Sequence, residues 1–175
     1  MTHFLHTQVD LDAGLAQLIL ADPRLKPVAE KAGAFNLRRR EAGFPGLCAI
    51  ICGQQLSTAA AATIRARLFA AFDPFHHDTL RQARTDKLKR LGLSAPKIKS
   101  IREIAKAVGK GQIDLVAVGN MDADNAHAAL TALHGIGPWS ADIYLMVCLG
   151  HSHAFPAGAL AVQEAARIAF GLRKR

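Results

Sequence analysis

Long apolar runs are absent from this sequence. No stretch of 18 consecutive apolar residues occurs, so a membrane-spanning helix is not predicted. The opening segment MTHFLHTQVDLDAG has no basic flank ahead of an apolar stretch, and it therefore does not match a secretory signal peptide. We expect a cytoplasmic protein without a membrane partner.

Cysteine is scarce as well. The sequence holds three, namely Cys48, Cys52 and Cys148. An odd number without a secretory signal argues against a disulfide framework, and three thiolates are too few for a four-cysteine iron–sulfur cluster. Cys48 and Cys52 lie four residues apart in an apolar stretch, so we expect both on one face of a buried helix, with metal ligation as the alternative.

Patterns typical of β-strands are also missing. No segment alternates apolar and polar residues between turn signals, whereas helix start and stop signals recur. The predicted N-caps are Asp10, Ser57, Ser94 and Asp122, Pro138 opens a further helix, and the predicted ends are Pro23, Gly33 and either Gly109 or Gly111. The most apolar segment, FPGLCAIICGQQ, is predicted to be a central buried helix. We expect one all-α domain over residues 1–175.

Positive charge is what the sequence has in excess. Lys and Arg total 22 against 14 Asp and Glu, which gives a net charge of +8. A domain this basic often binds a polyanion, with nucleic acid as the first candidate, and a basic surface without a ligand is the alternative. The run LRRREAG at 37–43 is predicted to be a solvated loop, with a phosphate contact as its alternative.

One short segment, ALHGIGPWSADI at 132–143, combines two glycines with the start of a helix. It predicts a tight helix–hairpin–helix connection over 133–139, with Ile136 packed beneath the turn. Gly135 and Gly137 permit positive φ and leave no Cβ to block a close approach. The helix that Pro138 opens would present N–H groups and a positive dipole end to an anion such as a DNA phosphate. An ordinary tight helix connection is the alternative.

Four ordered motifs carry a resemblance to a known family. They are AIICGQQLSTAAAATI, LGLSAPKIKSIREIA, LHGIGPWSADIYLMVCLG and HAFPAGALAVQEAARIAFGL. Together they resemble the helix–hairpin–helix DNA glycosylase superfamily, and most of all its DNA-3-methyladenine glycosylase II group. The resemblance implies a two-lobed all-α fold that binds double-stranded DNA with alkylated bases. It also implies action in base excision repair. We expect a monomer associated with the nucleoid, and the chemistry of the reaction requires no metal or other cofactor.

The same resemblance assigns roles around the hairpin. It implies DNA-backbone contacts from Gly135, Ile136, Gly137, Ser140 and Ala141. It also implies that a monovalent cation can bind the carbonyls of Thr131, Leu133 and Ile136. Apart from the resemblance, Lys97, Lys99 and Arg102 lie close together on one predicted helix and are candidates for phosphate contacts, with a solvated basic helix face as the alternative.

Two other positions concern the flipped base. The lyase branch of the superfamily has a nucleophilic Lys where this sequence has Trp139, and an indole cannot form a Schiff base. Trp139 is therefore expected to stack on an alkylated purine in the base pocket, with a core anchor as the alternative. Gln54 or Gln55, in GQQLS, is the candidate wedge that fills the gap in the duplex, and helix capping is the alternative.

The family's catalytic carboxylate is missing. The family has Asp in FPAGD, whereas this sequence has Ala159. Asp142 is a weak substitute candidate, and Glu164 is expected on another helix face. A base or a metal site is the alternative for His134, His151 and His153. His151 and His153 lie two apart in a loop with no third ligand nearby in sequence, so they are expected to be surface residues. Because the oxocarbenium-like transition state needs a nearby negative charge, we expect reduced or absent excision.

Two further expectations concern function and chain length. A non-catalytic module that binds damaged or bent DNA is the alternative to a monofunctional glycosylase, and a protein-interaction domain is a third possibility. The sequence stops at FGLRKR directly after the last predicted helix. Since relatives continue there, the fold is expected to be truncated at its carboxyl end, with apolar surface exposed.

Overall fold

The computed structural model describes residues 4–173, and within them the chain is helical. The helices are α1 (Gln8–Ala21), α2 (Leu25–Ala32), α3 (Gly43–Gly53), α4 (Thr58–Ala70), α5 (His77–Gln82), α6 (Thr85–Arg90), α7 (Ala95–Gly109), α8 (Leu115–Gly119), α9 (Ala123–Thr131), α10 (Pro138–Ile143) and α11 (Leu160–Ala169). A π-helical segment, Tyr144–Leu149, continues α10 directly. In the described range, the extended pairing is a single bridge between Phe4 and His151, and no helix is long and apolar enough to cross a membrane.

Helix α3 lies at the centre of the fold, as its apolar sequence predicts. Eight of its eleven residues are buried, and it packs against α4, α7 and the π-helical segment. Helix α7 adds five buried residues, whose spacing places them on one face. Cys48, Cys52 and Cys148 are free and buried. Desolvation raises the pKa of the Cys52 and Cys148 thiols to about 11.

Most helix ends follow their local signals. Ser57 and Asp122 cap α4 and α9 by accepting hydrogen bonds from the amides of Ala60 and Asn125. Gly33 ends α2 with φ of 69°. Ser94 precedes α7 with extended backbone as expected, but its hydroxyl makes no capping hydrogen bond.

The prediction that Asp10 caps α1 is wrong. The helix begins one turn earlier, with Thr7 as the N-cap. The Thr7 hydroxyl accepts from the Asp10 amide at 3.2 Å, and the Asp10 carboxylate accepts from the Thr7 amide at 2.8 Å. This reciprocal pair satisfies two amides that would otherwise lack partners, which is why the earlier start is preferred.

Residues 38–42 of the arginine run are exposed and lie in a loop as expected, while Gly43 already begins α3. Arg39 nevertheless links distant segments. Its guanidinium donates to the Leu5 carbonyl and to the Cys148 carbonyl, each at 3.0 Å. The amide of Arg40 also donates to the Val147 carbonyl. The run therefore fastens the amino-terminal segment to the end of the π-helical segment.

The expectation that His151 lies at the surface is wrong, while His153 is exposed as expected. His151 is 1% exposed, and its ring packs 4.6 Å from the Phe4 ring. Gly150 has φ of 83° and turns the chain back, so that the His151 amide donates to the Leu145 carbonyl at 2.9 Å. This turn places the ring beneath the amino-terminal segment.

Three helices contribute nothing to the buried core: α1, α2 and α11 have no buried residues. Large apolar side chains on them are exposed, including Leu20 at 81% and Leu160 at 67%. Helix α11 therefore adds no buried side chain to the core of the described residues.

Candidate DNA-binding cleft and hairpin

The hairpin joins α9 to α10 and is held against α7. Gly135 has φ of 84°, and a Cβ at this position would collide with the Ser100 hydroxyl of α7. Gly137 is different, since its φ is −89° and no heavy atom lies within 4 Å of where its Cβ would be. Ile136 is buried beneath the turn as predicted. Gly135 therefore permits close packing against α7, and Gly137 leaves the outer face of the turn open.

The first turn of α10 presents its N–H groups without a side-chain cap among the described residues. Pro138 has no N–H, so the groups on offer belong to Trp139 and Ser140. Ala141 is fully buried, and its amide donates to the Gly137 carbonyl at 3.0 Å. The Ser140 side chain is also buried. Ala141 therefore supports the turn from within, and the amides of Trp139 and Ser140 are the ones left for a ligand.

The predicted cation ligands are carbonyls at the same turn. The Leu133 carbonyl accepts the Ile136 amide at 3.1 Å and keeps a second lone pair. The Thr131 hydroxyl donates back to the His127 carbonyl at 2.9 Å, so its side chain is already used. Carbonyl oxygens are suitable ligands for a hard monovalent cation, and the site stays a prediction.

The two glutamines of GQQLS have different surroundings. Gln54 donates through Nε2 to the Gly135 carbonyl at 3.0 Å and to the Ser140 hydroxyl at 2.9 Å. Its side chain therefore fastens the end of α3 to the hairpin. Gln55 is exposed, has φ of 56° and lines the cleft described below. Of the two wedge candidates, Gln55 has the side chain that is available to a ligand.

Lys97 is also used internally. Its ammonium donates to the Cys52 carbonyl at 2.9 Å, near the end of α3. Desolvation lowers the pKa of Lys97. The predicted phosphate contact at Lys97 would have to compete with this hydrogen bond, while Lys99, two residues on, is exposed.

An open cleft of about 1080 Å³ brings the predicted functional positions together. Its lining comes from the α3–α4 connection, the start of α7, the hairpin and the start of α11. The lining residues are Gln54, Gln55, Ser94, Ala95, Pro96, Lys97, Lys99, Ser100, His134, Gly135, Trp139, Ala159, Leu160 and Ala161. Trp139 is 41% exposed, which argues against the alternative of a core anchor.

No carboxylate is found among these lining residues. Ala159 is the N-cap residue of α11, and no side chain caps that helix. Asp142 lies 3.5 Å from the His127 ring on α9 and does not line the cleft. Desolvation raises the pKa of Asp142, and the nearby His127 opposes that shift. Glu164 forms an ion pair with Arg167 at 2.8 Å, and it too lies outside the lining.

Sequence reasoning missed one contributor to this region. The hydroxyl of Ser100 defines the seat of the hairpin, and it has no local signal because its position depends on helices that are distant in sequence. His134, which belongs to the hairpin itself, is exposed and lines the cleft. His134, Lys97 and Lys99 are the titratable lining residues.

Comparison with known proteins agrees with this geometry. The model of the HhH-GPD superfamily of base excision DNA repair proteins matches residues 48–175. The chain belongs to this family. Its members include helix–hairpin–helix glycosylases, and the chain has their two-lobed all-α fold.

Two curated relatives illustrate the relationship. The chain is 32% identical over 170 residues to the probable bifunctional transcriptional activator/DNA repair enzyme AlkA of Mycobacterium tuberculosis, covering 91% of this chain and 34% of that protein. It is 28% identical over 169 residues to the DNA-3-methyladenine glycosylase of Bacillus subtilis, covering 87% and 55%. The chain thus spans between a third and just over half the length of these relatives.

Solved structures share the fold. The 3-methyladenine DNA glycosylase Mag1 of Schizosaccharomyces pombe, in complex with abasic DNA, superposes with a TM-score of 0.83 at 23% identity, over 93% of this chain and 82% of that one. The DNA-3-methyladenine glycosidase of Bacillus halodurans gives 0.78 at 26% identity, over 98% and 77%.

Proposed function

We propose that this chain binds double-stranded DNA and flips alkylated purines such as 3-methyladenine into its cleft, acting as a monomer at the nucleoid. Its lineage is that of a monofunctional base excision glycosylase, and its own excision is strongly reduced or absent. The observation that carries the proposal is the cleft itself, which combines the hairpin, Trp139 and Gln55 with Ala159 and no carboxylate.

Binding rests on the hairpin and on charge. The N–H groups of Trp139 and Ser140 lie at a helix start without a side-chain acceptor, and such groups bind a phosphate oxygen well. The open face at Gly137 lets a backbone approach closely. The net charge of +8 adds a sequence-independent attraction to DNA.

Base recognition rests on Trp139 and Gln55. A half-exposed indole at the cleft can stack on a flipped base, and stacking is stronger on a positively charged alkylated purine. Gln55 projects from a left-handed backbone conformation, and its free amide can enter the gap in the duplex and pair with the orphaned base.

Excision would break the N-glycosidic bond: the base leaves with the bonding electrons, and water adds its oxygen to C1′. A carboxylate stabilises the positive charge that develops on the sugar. Ala159 supplies none. Losing one such preorganised group costs about 10²–10³ in rate, although a cationic base is a good leaving group and keeps some intrinsic lability.

The test is single-turnover release of 3-methyladenine from alkylated duplex DNA by this chain, Ala159→Asp and Ala159→Asn. Asp and Asn cap a helix about equally well, so Asn controls for any structural repair of α11. We expect release to rise by about 10²–10³ with Asp alone. Equal release by all three proteins would contradict the proposed role of the missing charge.

The same variants address the second candidate, a non-catalytic module for damaged or bent DNA. The absence of lining carboxylates favours it. Tight binding to damaged duplex by every variant, with no release by any, would support this module. A failure of the unaltered chain to bind DNA at low salt would instead favour a protein-interaction domain.

A further inference from the structure

The positive charge of the chain is concentrated in one segment. Residues 76–110, which comprise α5, α6 and α7 with their connections, contain ten Lys and Arg against three Asp and Glu. The remainder contains twelve against eleven and is close to neutral. The excess therefore belongs almost entirely to this one segment of the chain.

A second, smaller cavity opens within this region. It has a volume of about 310 Å³ and is lined by Thr85, Ala95, Ile98, Lys99, Arg102 and Glu103. Ala95 and Lys99 also line the large cleft. The two depressions are therefore neighbours that share the first turns of α7, and a ligand lying across the cleft can reach the second cavity.

Three side chains at this cavity carry hydrogen-bond donors. Arg102 donates through Nη2 to the Ala83 carbonyl at 2.6 Å, which fixes its guanidinium. Its Nε is buried and closed to a ligand, with no partner among the described residues, so this atom takes no part in the site. Within the same residues, neither the Lys99 ammonium nor the Thr85 hydroxyl has a side-chain partner. A guanidinium, an ammonium and a hydroxyl at one cavity suit a phosphate.

One carboxylate lies among these groups. Glu103 lines the cavity, but its Oε2 lies 3.7 Å from the ammonium of Lys106. That pairing offsets its charge, and Lys99 and Arg102 leave the cavity net positive. Removing the Glu103 charge should therefore favour an anion there.

We propose that the cavity at Thr85, Lys99 and Arg102 binds a backbone phosphate of the DNA that occupies the cleft, as a second anchor apart from the hairpin. This inference rests on the proposed function, because it needs duplex DNA across the cleft. The anchor holds the duplex on the α7 side while the hairpin holds it on the α10 side.

The experiment measures binding of the full chain to a damaged duplex at several salt concentrations. Lys99→Gln should weaken binding about fivefold and reduce the slope of log K against log salt by about 0.9, the value of one phosphate contact. The matched control is Lys110→Gln, which removes the same charge at the far end of α7, about 16 Å away along the helix. It should leave the slope nearly unchanged.

Two further variants define the site. Arg102→Lys keeps the charge but removes the guanidinium that the Ala83 carbonyl holds in place and should weaken binding, whereas Glu103→Gln should strengthen it. Equal effects of Lys99→Gln and Lys110→Gln would overturn the inference and leave only diffuse attraction. Absence of binding by the unaltered chain at low salt would instead overturn the proposed function, so the two failures are distinct.

Discussion

The two sides of the cleft are built in different ways. The hairpin side, formed by Gln54, Lys97, Ser100 and Gly135, is locked by hydrogen bonds and close packing. The α11 side, formed by Ala159, Leu160 and Ala161, belongs to a helix without a buried residue or a side-chain cap. The side proposed to bind DNA is therefore firmly held, and the side that holds the predicted catalytic position, Ala159, is weakly anchored. With this arrangement we expect that substitutions can change the proposed binding and the proposed excision separately.

The largest expected loss of stability comes from breaking the seat of the hairpin. Gly135→Ala places a Cβ against Ser100 and forces alanine into positive φ. We expect the free energy of unfolding to fall by about 2–5 kcal/mol, since strain and overpacking add. Denaturant unfolding measures this.

The matched control is Gly137→Ala, where space is open and φ is negative. Its unfolding should change by less than about 0.5 kcal/mol, while DNA binding weakens because the methyl group obstructs the outer face. Equal destabilisation by the two variants would contradict the division of roles between the glycines.

A smaller loss is expected when the link between α3 and the hairpin is cut. Gln54→Ala removes the donor to the Gly135 carbonyl and the Ser140 hydroxyl, which should cost about 1–3 kcal/mol. Gln55→Ala removes no hydrogen bond and should unfold like the unaltered chain. Gln55→Ala should instead weaken DNA binding, because it removes the proposed wedge. If Gln54→Ala weakens DNA binding and Gln55→Ala does not, Gln54 is the wedge.

A smaller effect, this time a gain in stability, is expected from a helix cap at the start of α11. Ala159→Asp and Ala159→Asn each supply an N-cap to α11 and should raise the free energy of unfolding by about 0.5–1.5 kcal/mol. Thermal unfolding of the two variants measures the gain. If Asp restores excision without such a gain, its carboxylate points into the cleft and does not cap the helix.

The smallest expected effect is a loss of stability at acidic pH, caused by His151. Desolvation lowers the pKa of His151, Asp122 acts to raise it and His153 acts to lower it further. Because the folded pKa lies below the usual value near 6.5, the unfolded chain binds the proton more readily, and stability decreases as pH falls through 6.5.

Hydrogen exchange at pH 7 and pH 5.5 can locate this effect. His151 lies in the connection that leads to α11, so protection of α11 should fall more than that of α3. His151→Phe should remove the difference between the two pH values. Uniform loss of protection across the chain would show that the histidine does not act locally.

Sequence patterns predict the features that depend on neighbouring residues. The caps at Ser57 and Asp122, the end of α2 at Gly33 and the buried α3 are all confirmed. Each results from backbone conformation or helical periodicity over a few residues. The hairpin motif is recognisable for the same reason.

Features that depend on distant segments could not be predicted in this way. Gln54 and Gln55 are adjacent, and only the contact of Gln54 with residues more than 80 positions away separates their roles. His151 is polar and lies in a short loop, which favours the surface, but the turn at Gly150 buries it. The hydrogen bond of Arg102 could not be predicted either, because its acceptor is the backbone carbonyl of Ala83, which no side-chain pattern in the sequence marks.

The π-helical segment at 144–149 has a consequence for how the protein can vary in length. Its wider turns hold more residues than an α-helix needs over the same rise, so the segment contains slack between the rigid α10 and the loop that leads to Ala159. A one-residue deletion there can be absorbed by a return to α-helical geometry, which keeps the following loop in place. The hairpin has no such slack at Gly135, which packs against Ser100 and accepts a hydrogen bond from Gln54. Among homologues, one-residue deletions should therefore be tolerated at 144–149 and rejected at 133–139.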